Sequence, residues 1–425
     1  MADSPAGTNT PAGHLWLPYT QMKTTPPPIE VAATEGAQIE LANGRRLIDG
    51  VSSWWTACHG YNHPHIRAAV QRQLEVMPHV MFGGLVHKPA EILSQRLAAM
   101  LPGGLNRVFF SESGSVSVEI AMKMALQYFI NRGESDRRKF IAFEGAYHGD
   151  TIGAMSVCDP EEGMHSLFSG LLPEQHVVPL PRTESEFAAF DAFLDRHAGE
   201  CAAIIMEPLV QGAGGMKFHS ATVLAALRER AQDHGMLFIL DEIMTGFGRT
   251  GTMFACEQAD IVPDIITLSK ALTGGTMALA ATIATERVFD AFLSDDPGAA
   301  LMHGPTYMAN PLACAAAIAS LDLFESEPRL AEVTAIETHL LTALEPCREM
   351  PGVVDVRVKG AIGVVQLEDL KAIDWLKSRF VEEGVWIRPF GDIVYLMPPF
   401  IIGKYELTQL TGSVVKVVRE WSQQR

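Results

Sequence analysis

Short apolar runs alternate with longer stretches of helical periodicity through the middle of the chain. The runs Arg107–Phe110, Lys139–Phe143, Cys201–Met206, MLFIL ending at Leu240 and DIITL ending at Leu268 are rich in Ile, Leu and Phe and bounded by Gly, Pro or small polar residues. Continuous runs of this kind read as parallel strands covered on both faces. Between them, Val116–Ile130 and Ala221–His234 carry helical spacing, the second stopped by Gly235. The alternation predicts an α/β fold with a mainly parallel sheet and helices on both sides. Upstream, Gln38–Leu41 and Arg46–Asp49 flank Ala42-Asn43-Gly44, a hairpin signal, and His65–Met77 and Pro89–Leu101 read as helices. Leu272–Thr285 returns as a strand. From about Ala316 the pattern changes to two long amphipathic helices, strands Val353–Val358 and Gly363–Leu367, helix Ala372–Glu383, the run VWIRPFGDIVYLMPP and a closing helix Glu406–Gln424. This predicts a large domain over residues 53–315 and a smaller α+β domain over 316–425, joined by the N-terminal segment 1–52.

Two N-terminal stretches break the pattern. Residues 1–13 read as a flexible tail, whereas HLWLPYT at 14–20 is apolar enough to pack on the body or on a partner subunit. In VSSWWTACHGYNHP the paired tryptophans are hard to place in a regular element; on a strand Trp54 and Trp55 would point to opposite faces, so at most one need be core, and the pair is either structural or a ligand wall.

Chemistry collects where predicted strands end. MLFIL delivers Asp241 and DIITLS delivers Lys270, and ligands of parallel sheets gather at the carboxyl ends of the strands. An acid and an amine there either end their strands in water or hold a pyridine-type cofactor, the acid on its ring nitrogen and the amine on its aldehyde. Arg107–Phe110 runs into Ser111-Glu112-Ser113-Gly114-Ser115 and a helix, a turn whose free amides suit a phosphate, though Ser also caps helices for structural reasons. Lys139–Phe143 is followed by Tyr147-His148-Gly149-Asp150, where an aromatic ring can stack on a flat heterocycle. Thr306 is a second phosphate hydroxyl or a turn residue. Arg388 is a carboxylate clamp or a salt-bridged surface residue.

Composition narrows the partners. A formal charge of −17 over 425 residues lacks the basic patch that nucleic acid or an anionic membrane requires. Six cysteines without a C-x-x-C pair fit reduced thiols in a cytoplasmic protein, and no cluster of metal ligands is visible. The N-terminus has neither the basic start nor the apolar core of a signal peptide, and no run approaches the length of a membrane span.

Together, Ser113-Gly114-Ser115, Tyr147-His148-Gly149-Asp150, Asp241-Glu242-Ile243-x-Thr245-Gly246-Phe247-Gly248-Arg249, Ser269-Lys270-Ala271 and Gly304-Pro305-Thr306 resemble the class III, ω-type, pyridoxal-phosphate aminotransferases of fold type I. The resemblance runs from about His14 to the C-terminus. Within that family, Trp16-x-Pro18-Tyr19-Thr20, Ser52-Ser53-Trp54-Trp55, His79-Val80-Met81-Phe82-Gly83-Gly84 and Ile387-Arg388-Pro389-Phe390-Gly391 are similar to members that carry an amine from S-adenosyl-L-methionine to 8-amino-7-oxononanoate in biotin biosynthesis. Leu17 departs from the His that precedes Pro-Tyr in relatives. The resemblance implies pyridoxal 5'-phosphate as cofactor and a homodimer with active sites at its interface. It implies Lys270 as the residue joined to the cofactor and as proton carrier, with Asp241 on the ring nitrogen. Gly114, Ser115, Pro305 and, from the neighbouring subunit, Thr306 would hold the phosphate, with Tyr147 along the ring. Tyr19, Trp54, Trp55, Tyr147, Gly304 and Arg388 would meet substrate around Lys270.

Overall fold

The computed structural model describes residues 13–160, 166–168, 170–369 and 371–424. The expected flexible tail falls almost wholly on residues 1–12, outside the described residues. A seven-stranded sheet forms the centre, in the order Leu105–Ser111, Ala280–Thr285, Ile265–Leu268, Leu237–Asp241, Cys201–Met206, Lys139–Phe143, His176–Val178. Ala280–Thr285 is antiparallel to both of its neighbours, and every other pairing is parallel. The α/β class and the mainly parallel sheet expected from the sequence are therefore present.

The continuous apolar runs have a direct explanation. Leu237 and Ile239 join a cluster with Ile120, Ala121 and Met124 of helix Gly114–Asn131, while Phe238 and Leu240 join the opposite cluster with Leu224 and Leu227 of helix Ala221–Asp233. Successive strand residues point to opposite faces, so a sheet covered twice needs apolar residues at every position. Full burial of each such side chain contributes about 1.5–3 kcal/mol, which fixes the strand ends that carry the polar residues.

Three small sheets flank the centre. The expected hairpin pairs Gln38 with Ile48 and Glu40 with Arg46, and Gly44 takes a φ of 82° in its turn. Val385–Trp386 adds in parallel beside Ile48 and Asp49, so an N-terminal hairpin and a C-terminal strand share one sheet. Val353–Lys359, Ile362–Leu367 and Ile393–Leu396 form another, and the third is the pair Val210–Gln211 and Lys217–Phe218.

Some expectations change. The edge strand His176–Val178 has only three half-buried residues, too short to produce a pattern. Helix Pro311–Ser326, expected to be amphipathic, buries most of its length against helices Pro64–Val76 and Lys88–Met100. Leu15 and Trp16 are 68% and 89% exposed, so this part of HLWLPYT does not pack on its own subunit's body. Trp54 and Trp55 are not on a strand. Residues 52–55 form a tight turn, with only Trp55 in the core.

Candidate active site

Strands Leu237–Asp241 and Ile265–Leu268 are hydrogen-bonded neighbours with Asp241 opposite Thr267, which brings Lys270 to the same sheet edge as Asp241. Asp241 is 4% exposed. Its Oδ2 lies 2.7 Å from His148 Nδ1, and its Oδ1 accepts from Ile243 N at 3.1 Å and Thr267 Oγ1 at 3.3 Å. Each donor orients the carboxylate.

Lys270 takes a φ of 46°, left-handed and uncommon for a residue with a Cβ. Among the described residues its amine makes no hydrogen bond or ion pair, and its Nζ lies 4.9 Å from the centre of the Trp55 ring. Burial holds the amine below its ordinary pKa, while Asp241, Glu207 and Asp150 pull it back up. Burial thus favours the neutral amine, the nucleophilic form that reacts with an aldehyde.

The loop after Phe143 wraps this edge. Glu207, at the end of Cys201–Met206, accepts from Tyr147 N at 3.1 Å and Gly212 N at 2.8 Å, and burial pushes its carboxyl up to about 7. Gly149 is required by close approach: a Cβ there would lie 2.2 Å from Ser115 Oγ. That approach lets Asp150 N donate to Ser115 Oγ at 3.1 Å, tying the Tyr147 loop to the helix start. Ser113 caps Val116 N, so the amides of Gly114 and Ser115, in the first helical turn, have no partner within the helix. Such amides sit at the positive end of the dipole and suit a phosphate.

A second group stands beside it. The hydroxyls of Tyr19 and Tyr147 both donate to Asp150, at 2.5 and 3.0 Å. Tyr19 meets Trp54 edge to face at 6.2 Å, and the Arg388 guanidinium lies 5.2 Å from the centre of the Trp54 ring. Among the described residues Arg388 has no carboxylate partner, unlike Arg357 and Arg379, which have theirs. Lys270, Asp241, Gly114, Ser115, Tyr147, Tyr19, Trp54, Trp55 and Arg388 are thus linked by contacts or by neighbouring strand ends.

Gly304, Pro305 and Thr306 stand apart. They form a turn with Thr306 exposed, flanked by His303 against Lys123 and Phe109 and by Tyr307 against His79. Nothing in the described residues joins this turn to Lys270, Asp241 or Ser115. The sequence reading assigned no role to Glu207, Asp150 or Asp49. Glu207 had a signal, as an acid ending a buried strand before a proline; the partners of Asp150 and Asp49 come from distant segments. His176, His197 and Glu200 converge on the surface with the spacing of metal ligands, but one carboxylate oxygen already binds both imidazoles at 3.0 Å.

An unpaired amine beside an oriented carboxylate, a helix start with free amides and a tyrosine-bearing loop fit the pyridoxal phosphate implied by the sequence resemblance. The fold and this arrangement define an aminotransferase site, and the class-III aminotransferase family model matches residues 19–418. The chain belongs to the class-III aminotransferases. Among its relatives, it is 45% identical over 415 residues to the adenosylmethionine-8-amino-7-oxononanoate aminotransferase of Mycobacterium leprae (strain TN), covering 96% of this chain and 95% of that one. It is 43% identical over 427 residues to the enzyme of the same name from Synechococcus elongatus, covering 96% and 99%. The crystal structure of an enzyme of that name from Methanocaldococcus jannaschii DSM 2661 superposes with a TM-score of 0.91 at 33% identity, covering 96% and 97%. A PLP-bound amine transaminase from an uncultivated Pseudomonas species gives 0.88 at 31%, covering 96% and 99%.

Proposed function

We propose that this chain transfers the amino group of S-adenosyl-L-methionine to 8-amino-7-oxononanoate, giving 7,8-diaminononanoate in biotin biosynthesis, by a ping-pong reaction in which both substrates use one pocket in turn. The observation that carries the reading is the Trp54 ring placed between Tyr19 and Arg388, an arginine with no acidic partner among the described residues, while its neighbour Trp55 meets Lys270. Aromatic faces suit a sulfonium cation and a free guanidinium suits a carboxylate. The names of the relatives agree with both substrates.

Pyridoxal 5'-phosphate, when bound, supplies an aldehyde that accepts the amine and a ring that accepts carbanion charge. Gly114 and Ser115 would hold its phosphate, Tyr147 would lie along its ring and Asp241 would keep its ring nitrogen protonated. Lys270 Nζ would take the proton from the substrate carbon and hold it for return. Burial holds this amine below its ordinary pKa, against the pull of Asp241, Glu207 and Asp150, and so favours its proton-accepting form. Arg388 would fix the carboxylate end of each substrate, with the Trp54 ring beside it and Tyr19 against Trp54. In a homodimer, the exposed Gly304-Pro305-Thr306 turn would serve the phosphate of the neighbouring copy, which accounts for its separation from its own Lys270.

The function is tested by supplying 8-amino-7-oxononanoate with either adenosylmethionine or lysine and detecting the diamine by mass. Diamine with adenosylmethionine is expected, and formation with lysine alone would overturn the donor assignment. Arg388→Ala is expected to raise KM for the carboxylate substrates about tenfold to a hundredfold with a smaller change in kcat, since a guanidinium–carboxylate contact contributes on the order of 1.5–3 kcal/mol. Unchanged steady-state kinetics for both substrates would remove Arg388 from the pocket.

A further inference from the structure

Ser52, Ser53, Trp54 and Trp55 have φ values of 49°, 47°, 55° and 74°. Four consecutive non-glycine residues in the left-handed region are strained, because each Cβ crowds the backbone. Such a turn persists only where its surroundings over-determine it. Three backbone bonds close it, Trp55 N to Val51 O and Thr56 N to Ser52 O, both at 2.8 Å, and Ala57 N to Ser52 O at 3.0 Å. Thr56 Oγ1 donates to Ser52 O at 3.3 Å and to Ser53 O at 3.1 Å, and the turn's amides are held by the side chain of Asp49, which is fully buried at the end of strand Arg46–Asp49. Its Oδ1 accepts from Val51 N at 2.8 Å, and its Oδ2 accepts from Ser53 N at 2.8 Å and from the Tyr61 hydroxyl at 2.6 Å. Tyr61 also meets Ser53 Oγ at 2.5 Å, and Ser52 Oγ donates to Met397 O at 2.7 Å. Asp49 has no ion-pair partner among the described residues, although Arg249 faces it electrostatically. Its carboxylate is therefore spent on the turn.

The turn controls where the two tryptophans go. It sends Trp55 into the core against the Lys270 amine and Trp54 outward beneath Arg388 and beside Tyr19. Adjacent residues on an extended strand would diverge to opposite faces, and a right-handed turn would place the rings differently.

We propose that Asp49, braced by Tyr61, is a positioning residue that holds residues 52–55 left-handed and so sets Trp55 against Lys270 and Trp54 against Arg388. The consequence for catalysis rests on the reading that Trp54, Tyr19 and Arg388 line the substrate pocket. The backbone consequence does not.

Asp49→Asn is the direct test. All three groups on the carboxylate are donors, and an asparagine must turn its own N–H donors toward at least one of them. In the cofactor-loaded variant, amide exchange over Val51–Ala57 should quicken at least about tenfold while the central strands keep their protection, and KM for both substrates should rise about tenfold with a smaller fall in kcat. Adding Ser53→Gly should recover most of the lost protection and affinity, because glycine enters the left-handed region without strain. If Asp49→Asn fails to fold, Tyr61→Phe, which leaves the two amide bonds intact, should show the same local loosening at about threefold. Unchanged exchange over Val51–Ala57 in either variant, loosening spread evenly over the chain, or no recovery with glycine would overturn the proposal. Trp54→Ala separates the two readings. Unchanged KM there, with local loosening still seen in Asp49→Asn, would reject the pocket assignment and leave the clamp standing.

Discussion

Lys270→Ala is expected to purify without the covalent cofactor link that borohydride fixes to the wild-type chain, and to lose transamination by about ten-thousandfold. Both effects have one source. In the proposed reaction the amine would be both the nucleophile that reaches the cofactor's aldehyde and the base that moves the substrate proton, and general acid–base catalysis alone accounts for about 10²–10⁴. The side chains that face it, Asp241, Glu207 and Asp150, are carboxylates, and the ring above it is the Trp55 indole. The fold should be retained, because Lys270 makes no ion pair or hydrogen bond among the described residues whose loss would leave a partner exposed. Mass analysis of the borohydride-treated peptide carrying residue 270 reads the link, and a single-turnover assay reads the rate. A reducible link persisting at that peptide in the variant, or a rate within a hundredfold of wild type, would displace Lys270 from its role.

How much of this was legible in the sequence depends on what each residue's role requires. Asp241 and Lys270 were readable because they follow directly from strand ends: a buried run of Ile, Leu and Phe fixes a strand, and the next polar residue falls at its carboxyl edge. Gly114 and Ser115 were readable for the same reason at a strand-to-helix turn. Trp54 and Trp55 were readable as a pair of which at most one need be core, but the turn itself was not, because no local pattern announces a left-handed run without glycine; Asp49 and Tyr61 hold it through the folded backbone. Asp150 was opaque in a similar way, since its partners Tyr19 and Ser115 approach from distant segments. The two acids beside the strand end also differ physically. Glu242 is turned away from the Lys270 edge and bonds Ala255 N and Cys256 N at 2.8 Å, so its place beside Asp241 in the sequence reflects loop anchoring. The exposed Thr306 was left between a phosphate hydroxyl and a turn residue by the sequence, and its own chain gives it no partner at the site that would choose between them.

Asp241→Asn should separate charge from geometry at the other end of the cofactor. The asparagine carbonyl can still accept from His148 Nδ1, now at 2.7 Å from the carboxylate, so the side chain should stay in place. What is lost is the negative charge. A neutral amide does not keep a ring nitrogen protonated, and turnover should fall on the order of a thousandfold, the scale seen when a charge-stabilising group is removed from a reacting centre. The covalent link should survive, and its sign can be worked out. Asp241 raises the Lys270 pKa, so removing its charge lowers that pKa further and leaves more of the amine neutral and reactive. The expected pair of results is therefore an undiminished borohydride-fixed peptide with a half-reaction about a thousandfold slower. Loss of the link together with activity would show that Asp241 acts by holding the fold of this edge, and near-normal turnover would show that its charge is not used at all.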